Sequence, residues 1–227
     1  MAEEIDVSFV MTVYNKEFYL PSVITALLGQ TGLKNPEFIF VDDVSNDNSV
    51  EIIRRMTEGV KNVTIVTNPY NRGISARINQ GIALAKGKWT RMLDSDDIFP
   101  LDSTAKMLAV AGETGAEMIY GCFTKTGKDP KELENCRLEE FDYQYVPDAM
   151  SGVLNGRFTR MGQLIKTDVL QKAGGADERA FIQDESIPLR AALYAKGIVK
   201  MTANVVLVPK EIGNFSGNKI QLDHDRF

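Results

Sequence analysis

Asp94, Asp96 and Asp97 crowd into the segment Asp94-Ser95-Asp96-Asp97, directly after the apolar run WTRML. Like charges this close repel, and a cation or a set of hydrogen-bond donors relieves the repulsion. Hard divalent ions take carboxylate oxygens. A solvated turn followed by a helix cap uses the same residue type, so the residues alone leave both readings open. A second acidic pair, Asp42-Asp43, follows the run EFIFV and carries the same ambiguity. Asp43, Ser45 and Asp47 imitate the start of an EF-hand loop, but Asn48 stands at its required glycine and Arg54 at its closing glutamate. That excludes an EF-hand. A phospho-receiver pair would follow the first strand rather than the second. Neither a P-loop nor a GxGxxG stretch is present.

The elements that must carry these carboxylates alternate. Short, β-branched apolar runs predict strands over 5–13, 37–41, 63–66, 89–93 and 117–120. Helical spacing falls between them, over 18–28, 48–56 with Asn46 or Asp47 as cap, 75–85 stopped by Gly87, and 103–111. Residues 124–140 are polar and read as a loop or excursion. Beyond them a strand is expected over 161–166 and a short helix capped by Thr167 and ended by Gly174-Gly175. A helix over 184–195 with Pro188 in its first turn and a strand over 198–208 complete the pattern. Strand and helix in alternation imply an α/β fold with a mostly parallel central sheet flanked by helices on both faces. Ligands of such sheets sit at the carboxyl ends of the strands. Asp42-Asp43 and Asp94-Asp96-Asp97 should therefore face one crevice.

Composition narrows the class. The chain has 227 residues, 44% hydrophobic and 25% charged, which is ordinary globular composition and needs no disulfide or metal merely to fold. A net charge of −5, without a Lys/Arg cluster, argues against a nucleic-acid binder. An acidic protein that binds a phosphorylated ligand needs local cations or a metal. Cys122 and Cys136 are too far apart for a CxxC motif and read as free thiols in a reducing compartment. Met1-Ala2-Glu3-Glu4 lacks the basic start of a signal peptide, and the longest charge-free stretch, 18–33, is interrupted and too short to span a bilayer. The expectation is a cytoplasmic protein with no transmembrane segment, with peripheral membrane attachment left open.

Four pieces, in order, resemble family 2 glycosyltransferases of the GT-A fold. Val7-Ser8-Phe9-Val10-Met11-Thr12-Val13-Tyr14-Asn15 is similar to that family's "VSVVIPTYN", and Phe40-Val41-Asp42-Asp43-Val44-Ser45-Asn46-Asp47 to "VDDGSTD". Asn71-Arg72-Gly73-Ile74-Ser75-Ala76-Arg77-Ile78-Asn79 is similar to "N-x-G-x-x-x-A-R-N", and Leu93-Asp94-Ser95-Asp96-Asp97 to "LDADD", a form of the DXD motif. The likeness covers roughly the first half of the chain. It implies that Thr12 and Tyr14 line the nucleotide pocket and that Asp43 accepts a hydrogen bond from uracil. It further implies that Arg77 approaches the nucleotide, where its cation suits a phosphate or an acidic neighbour. Asp94 would lie near the ribose or a metal-bound water, and Asp96 would hold a divalent metal, Mn²⁺ or Mg²⁺, against the diphosphate. His224, the sole histidine, would be a further metal ligand or simply an exposed terminal residue.

The same resemblance places a base at Asp184, followed by Leu189 and Arg190, with Gln183 where the family has Glu. Without the resemblance Asp184 would be a helix cap; Glu185 is the alternative base. The implied protein is a single GT-A domain over 1–227, with a donor half at 1–121 and an acceptor half at 122–227. Residues 150–160 read as a loop that could line the acceptor cleft. The implied reaction is inverting transfer from a UDP-sugar to a hydroxyl of a glycan or lipid-linked sugar. Two other readings stand beside it: a non-catalytic sugar-nucleotide binder, suggested by Gln183, and a sugar nucleotidylyltransferase. Tyr14-Asn15-Lys16-Glu17 occupies the place of the latter's Gly-rich loop and argues against it.

Overall fold

Strand β1, Val7–Val13, is buried at every position, the signature of a strand covered on both faces. It lies near the middle of an eight-stranded sheet in a computed structural model that describes residues 4–156, 162–179 and 183–210, with only the backbone of 183 and 184. In chain order the elements are β1, α1 (Leu20–Leu28), β2 (Glu37–Asp42), α2 (Ser49–Met56), β3 (Val63–Thr67), α3 (Gly73–Leu84), β4 (Trp89–Asp94) and α4 (Ser103–Thr114). There follow β5 (Met118–Lys125), α5 (Pro130–Leu133), β6 (Tyr143–Val146), α6 (Ala149–Leu154), β7 (Gln163–Lys166), α7 (Thr167–Ala173), α8 (Gln183–Ala192) and β8 (Ile198–Val208).

The sheet order is β3-β2-β1-β4-β7-β5-β8-β6. β1, β2, β3 and β4 pair in parallel, as do β5 and β8, while β7 runs antiparallel to both β4 and β5 and β6 antiparallel to β8. The order reverses at β1: β2 and β3 lie on one side and β4 on the other, which opens a crevice at the carboxyl ends. Side chains alternate between two cores. Phe9, Met11, Phe38, Phe40 and Leu93 pack with α1, α2 and α4, whereas Val10, Ile39, Val41 and Met92 pack with α3, α6, α7 and α8. Helices thus cover both faces, as expected. Arg91 is fully buried on the α4 face, where it donates to Ser103 and Thr104 and, at 2.8 Å, to the Val205 carbonyl. Burial pulls its pKa down to about 9.

The second half departs from expectation in five places, one of them β6, which falls where no element was expected. The polar segment 124–140 holds the end of β5 and the short helix α5, whose Leu133 is buried. Of the loop expected over 150–160, residues 150–154 belong to helix α6, because Gly152 lets the helix backbone rest on Ile198, where a Cβ would come within 2.2 Å of a methyl group, and 157–160 lie outside the described residues. Thr167 does not cap α7; its hydroxyl pairs with Thr90 at 2.8 Å inside the protein. Pro188 lies inside α8 rather than in its first turn, where it cannot donate to the carbonyl of residue 184. Among the described residues no helix is long and apolar enough to cross a membrane.

Candidate functional site

Register brings the sequence motifs to one edge. Thr12 lies opposite both Val41 and Asp94, and Val13 lies opposite Asp42. Tyr14 leaves β1 at this edge and is 38% exposed. The loops that follow are laced together. Asn15 has a left-handed backbone (φ +51°), tolerable for asparagine, and its side chain accepts from the Asn46 amide at 2.8 Å. The Asn15 amide donates to Ser45 Oγ and the Lys16 amide to Ser49 Oγ, at 3.0 and 2.8 Å. Asp47 accepts from the Ser49 and Glu17 amides.

Asp42 and Asp43 are both buried, and both accept hydrogen bonds from nearby backbone amides. Asp42 accepts from the amides of Val44 and Ser45 and so closes the turn itself. Asp43 sits at the positive end of α3. Its Oδ1 accepts from the Arg72 amide at 3.0 Å and from Arg77 Nε at 2.6 Å, and its Oδ2 from the Gly73 amide at 2.9 Å. Arg77 also donates to the Tyr70 carbonyl and to Gln80 Oε1. Of the two partners foreseen for this guanidinium, the structure supplies the acidic neighbour. Gly81 allows the approach of α3, since a Cβ there would lie 2.2 Å from a Val10 methyl. A cavity of about 460 Å³ opens beside the clamp, lined by Tyr70, Arg72, Arg77, Asn79, Gln80 and Glu178 among others.

The second acidic group is built differently. Asp96 pairs with the Lys16 ammonium at 2.6 Å, across 80 residues of sequence. Burial pushes its carboxyl above the usual carboxylate range; the Lys16 cation opposes that push and the charge of Asp94 adds to it. The turn is fastened by reciprocal backbone bonds between Ile98 and Leu207 of β8, at 2.9 and 2.8 Å. Among the described residues no group of three His, Cys, Asp or Glu side chains could hold a metal. Two carboxylates in a poorly solvated spot nonetheless fit a hard divalent cation that takes its other ligands from phosphate and water. Lys16 fills that electrostatic demand here, and its place in the site was not foreseen; only the preceding Tyr-Asn pair, which turns the chain, hinted at it.

The structure therefore gathers Thr12, Tyr14, Asp43, Arg77, Asp94 and Asp96 at one end of the sheet. Asp184 is the second residue of α8, but its side chain lies outside the described residues, as does all of His224. Asn79 reaches the segment 175–178 that precedes α8, a contact the motif alone does not reveal.

Residues 8–174 match the family model for glycosyl transferase family 2. The glycosyltransferase GlyG of Streptococcus pneumoniae is 25% identical over 97% of this chain and 76% of that protein. An uncharacterized glycosyltransferase of Haemophilus influenzae is 36% identical over 51% of this chain, a match that spans 46% of that protein. Among solved structures, S. aureus TarS 1–349 in complex with UDP-GlcNAc superposes with a TM-score of 0.75 at 18% identity, over 94% of this chain and 61% of that one. The mannosyltransferase PcManGT from Pyrobaculum calidifontis, in complex with GDP-Man and Mn²⁺, superposes with a TM-score of 0.71 at 16% identity, over 99% and 63%. At these identities the structures speak for the fold, which is GT-A. The chain spans about half the length of the H. influenzae relative and about three-fifths of the TarS fragment.

Proposed function

Because the chain belongs to glycosyl transferase family 2, we propose that it moves a sugar from a UDP-sugar to an acceptor hydroxyl, with inversion at the anomeric carbon. The observation that carries this reading is the pairing of two unlike carboxylate sites on strands flanking β1: a rigid clamp at Asp43 and a cation-seeking pair at Asp94 and Asp96.

The donor lies across the crevice of the first half, 1–121, with Thr12 and Tyr14 against its base and ribose. Asp43 Oδ1 already accepts two donors, so Oδ2 takes the imide N–H of uracil. Arg77 acts through Asp43, whose charge and orientation it fixes. Asp96 would hold Mn²⁺ or Mg²⁺, with Asp94 beside it near the ribose or a metal-bound water and His224 a candidate further ligand. Once bound, that cation offsets the charge gathering on the departing diphosphate.

The acceptor, a glycan or lipid-linked sugar hydroxyl, enters from the half 122–227. Its oxygen bonds to the anomeric carbon from the face opposite the diphosphate while Asp184 takes its proton. The bond from that carbon to the phosphate oxygen breaks, and the electron pair leaves on UDP. The free, half-buried thiols of Cys122 and Cys136 support a reducing, cytoplasmic setting.

Calorimetric titration of UDP, against GDP, in Mn²⁺ and then in EDTA tests the donor site. Metal-dependent UDP binding is the expected result. Equal affinity for GDP overturns the uracil reading, unchanged binding in EDTA overturns the metal reading, and no binding of either nucleotide overturns the function.

A further inference from the structure

Asn79 closes the stretch that begins at Asn71, and from the wall of the cavity beside the clamp its side chain reaches the second half of the chain. Its amide pairs with the backbone of Ala176 in both directions. The Ala176 amide donates to Oδ1 at 2.7 Å, and Nδ2 donates to the Ala176 carbonyl at 3.0 Å. Nδ2 also reaches Glu178 Oε1 at 3.1 Å, and Arg72 meets the same carboxylate at 3.0 Å. A primary amide on one methylene makes this two-way pairing; aspartate lacks the donor. The fit is close, since a Cβ on Gly175, whose φ is +64°, would lie 2.2 Å from Asn79 Oδ1.

The opposite side of the same segment is held by α8. Arg190 Nε donates to the Gly175 carbonyl at 2.9 Å, and the Asp177 amide donates to Ser186 Oγ at 3.2 Å. Ser186 and Arg190 are one turn apart and share a face of α8. Residues 175–177 are thus fixed between α3 and α8. Ile78 and Ile82 of α3 belong to the same apolar core as Ile187 and Ala191 of α8. Two residues before Asn79, Arg77 grips Asp43. One stiff helix therefore carries the clamp of the nucleotide crevice on one side and the seat of α8 on the other.

We propose that Asn79 is a positioning residue for sugar transfer: through Ala176 it sets the helix that begins at Gln183-Asp184 against the donor crevice. This rests on the reading of Asp184 as the base. A base displaced by about 1 Å can cost on the order of 100-fold in rate while the donor still binds.

The test compares the full chain with Asn79→Ala and Asp184→Asn in Mn²⁺. It reads UDP affinity by calorimetry, backbone hydrogen exchange over 183–192, and release of UDP from UDP-glucose, UDP-galactose and UDP-N-acetylglucosamine with water as acceptor. Asn79→Ala should exchange at least about tenfold faster over 183–192 and release UDP at least about tenfold more slowly, with KM and UDP affinity within about twofold. Unchanged exchange, an unchanged rate, or a UDP affinity that falls with the rate overturns the positioning role. Full activity in Asp184→Asn, with Asn79→Ala impaired, sinks the base reading instead. A wild-type chain that releases UDP from none of the three donors overturns both. If Asn79→Ala does not fold, Asn79→Asp takes its place, since it keeps the bond from the Ala176 amide and loses the one to its carbonyl; the same signature is expected.

Discussion

Asp42-Asp43 and Asp94-Asp96 look alike in the sequence and lie at the same end of the same sheet, yet their surroundings have nothing in common. Asp43 is compensated within its own structural unit by two amides at the head of α3 and the Arg77 guanidinium. Its charge is part of how the fold is built. Among the described residues Asp96 pairs with the ammonium of Lys16 and has a neighbour of like charge in Asp94, and burial holds its carboxyl above the usual range. A carboxylate with fixed donors gives shape and a directed acceptor. One with a displaceable cation is ready to exchange it for another.

Substitutions can break this contrast. Asp43→Ala should have the largest effect, because it leaves Arg77 buried without its counter-charge. A loss of about 3–5 kcal/mol in denaturant unfolding is expected, and a loss under about 1 kcal/mol would show that the clamp is no more structural than its counterpart. Asp96→Asn should do the reverse. It should leave stability unchanged or raised, and weaken Mn²⁺-dependent UDP binding by at least about tenfold, or ~1.4 kcal/mol, in calorimetry. Val44 sharpens the first side of the contrast. It stands where the similar motif has glycine and adopts a left-handed backbone at φ +68°, held by its amide bond to Asp42. Relief of that strain exceeds the added freedom of the unfolded chain, so Val44→Gly should raise stability by about 0.5–1 kcal/mol. The smallest effect is expected from Lys16→Met. The Asp96 carboxyl, already held above the usual range, can take up a proton rather than stay charged beside Asp94, so stability should change by less than about 1 kcal/mol. The substitution should tighten Mn²⁺ binding measured by calorimetry without nucleotide, because the ion no longer competes with an ammonium for Asp96.

Legibility follows the same division. β1, β2 and β4 read clearly because each is a short, largely apolar run covered on both faces, and β2 and β4 end in acid. Those three strands are adjacent and parallel, so the motif ends had to meet. β6 was missed because its tyrosines are exposed and its run is short and polar. β7 read as a strand, but its antiparallel place between β4 and β5 depends on pairing with distant residues, which local pattern does not encode. Asn79 was visible as the last letter of a motif; that it meets Ala176 needed the fold of the second half.

The sequence by itself determined the alternation of elements, the sheet edge where the carboxylates gather and the family they belong to, because periodicity and turn chemistry act over a few residues. The tertiary structure alone decided which charge each carboxylate meets. Asp43 finds Arg77 and Asp96 finds Lys16 only when residues 34 and 80 positions apart are brought within hydrogen-bond reach, and a buried charge takes its character from the nearest opposite charge rather than from its neighbours in the chain.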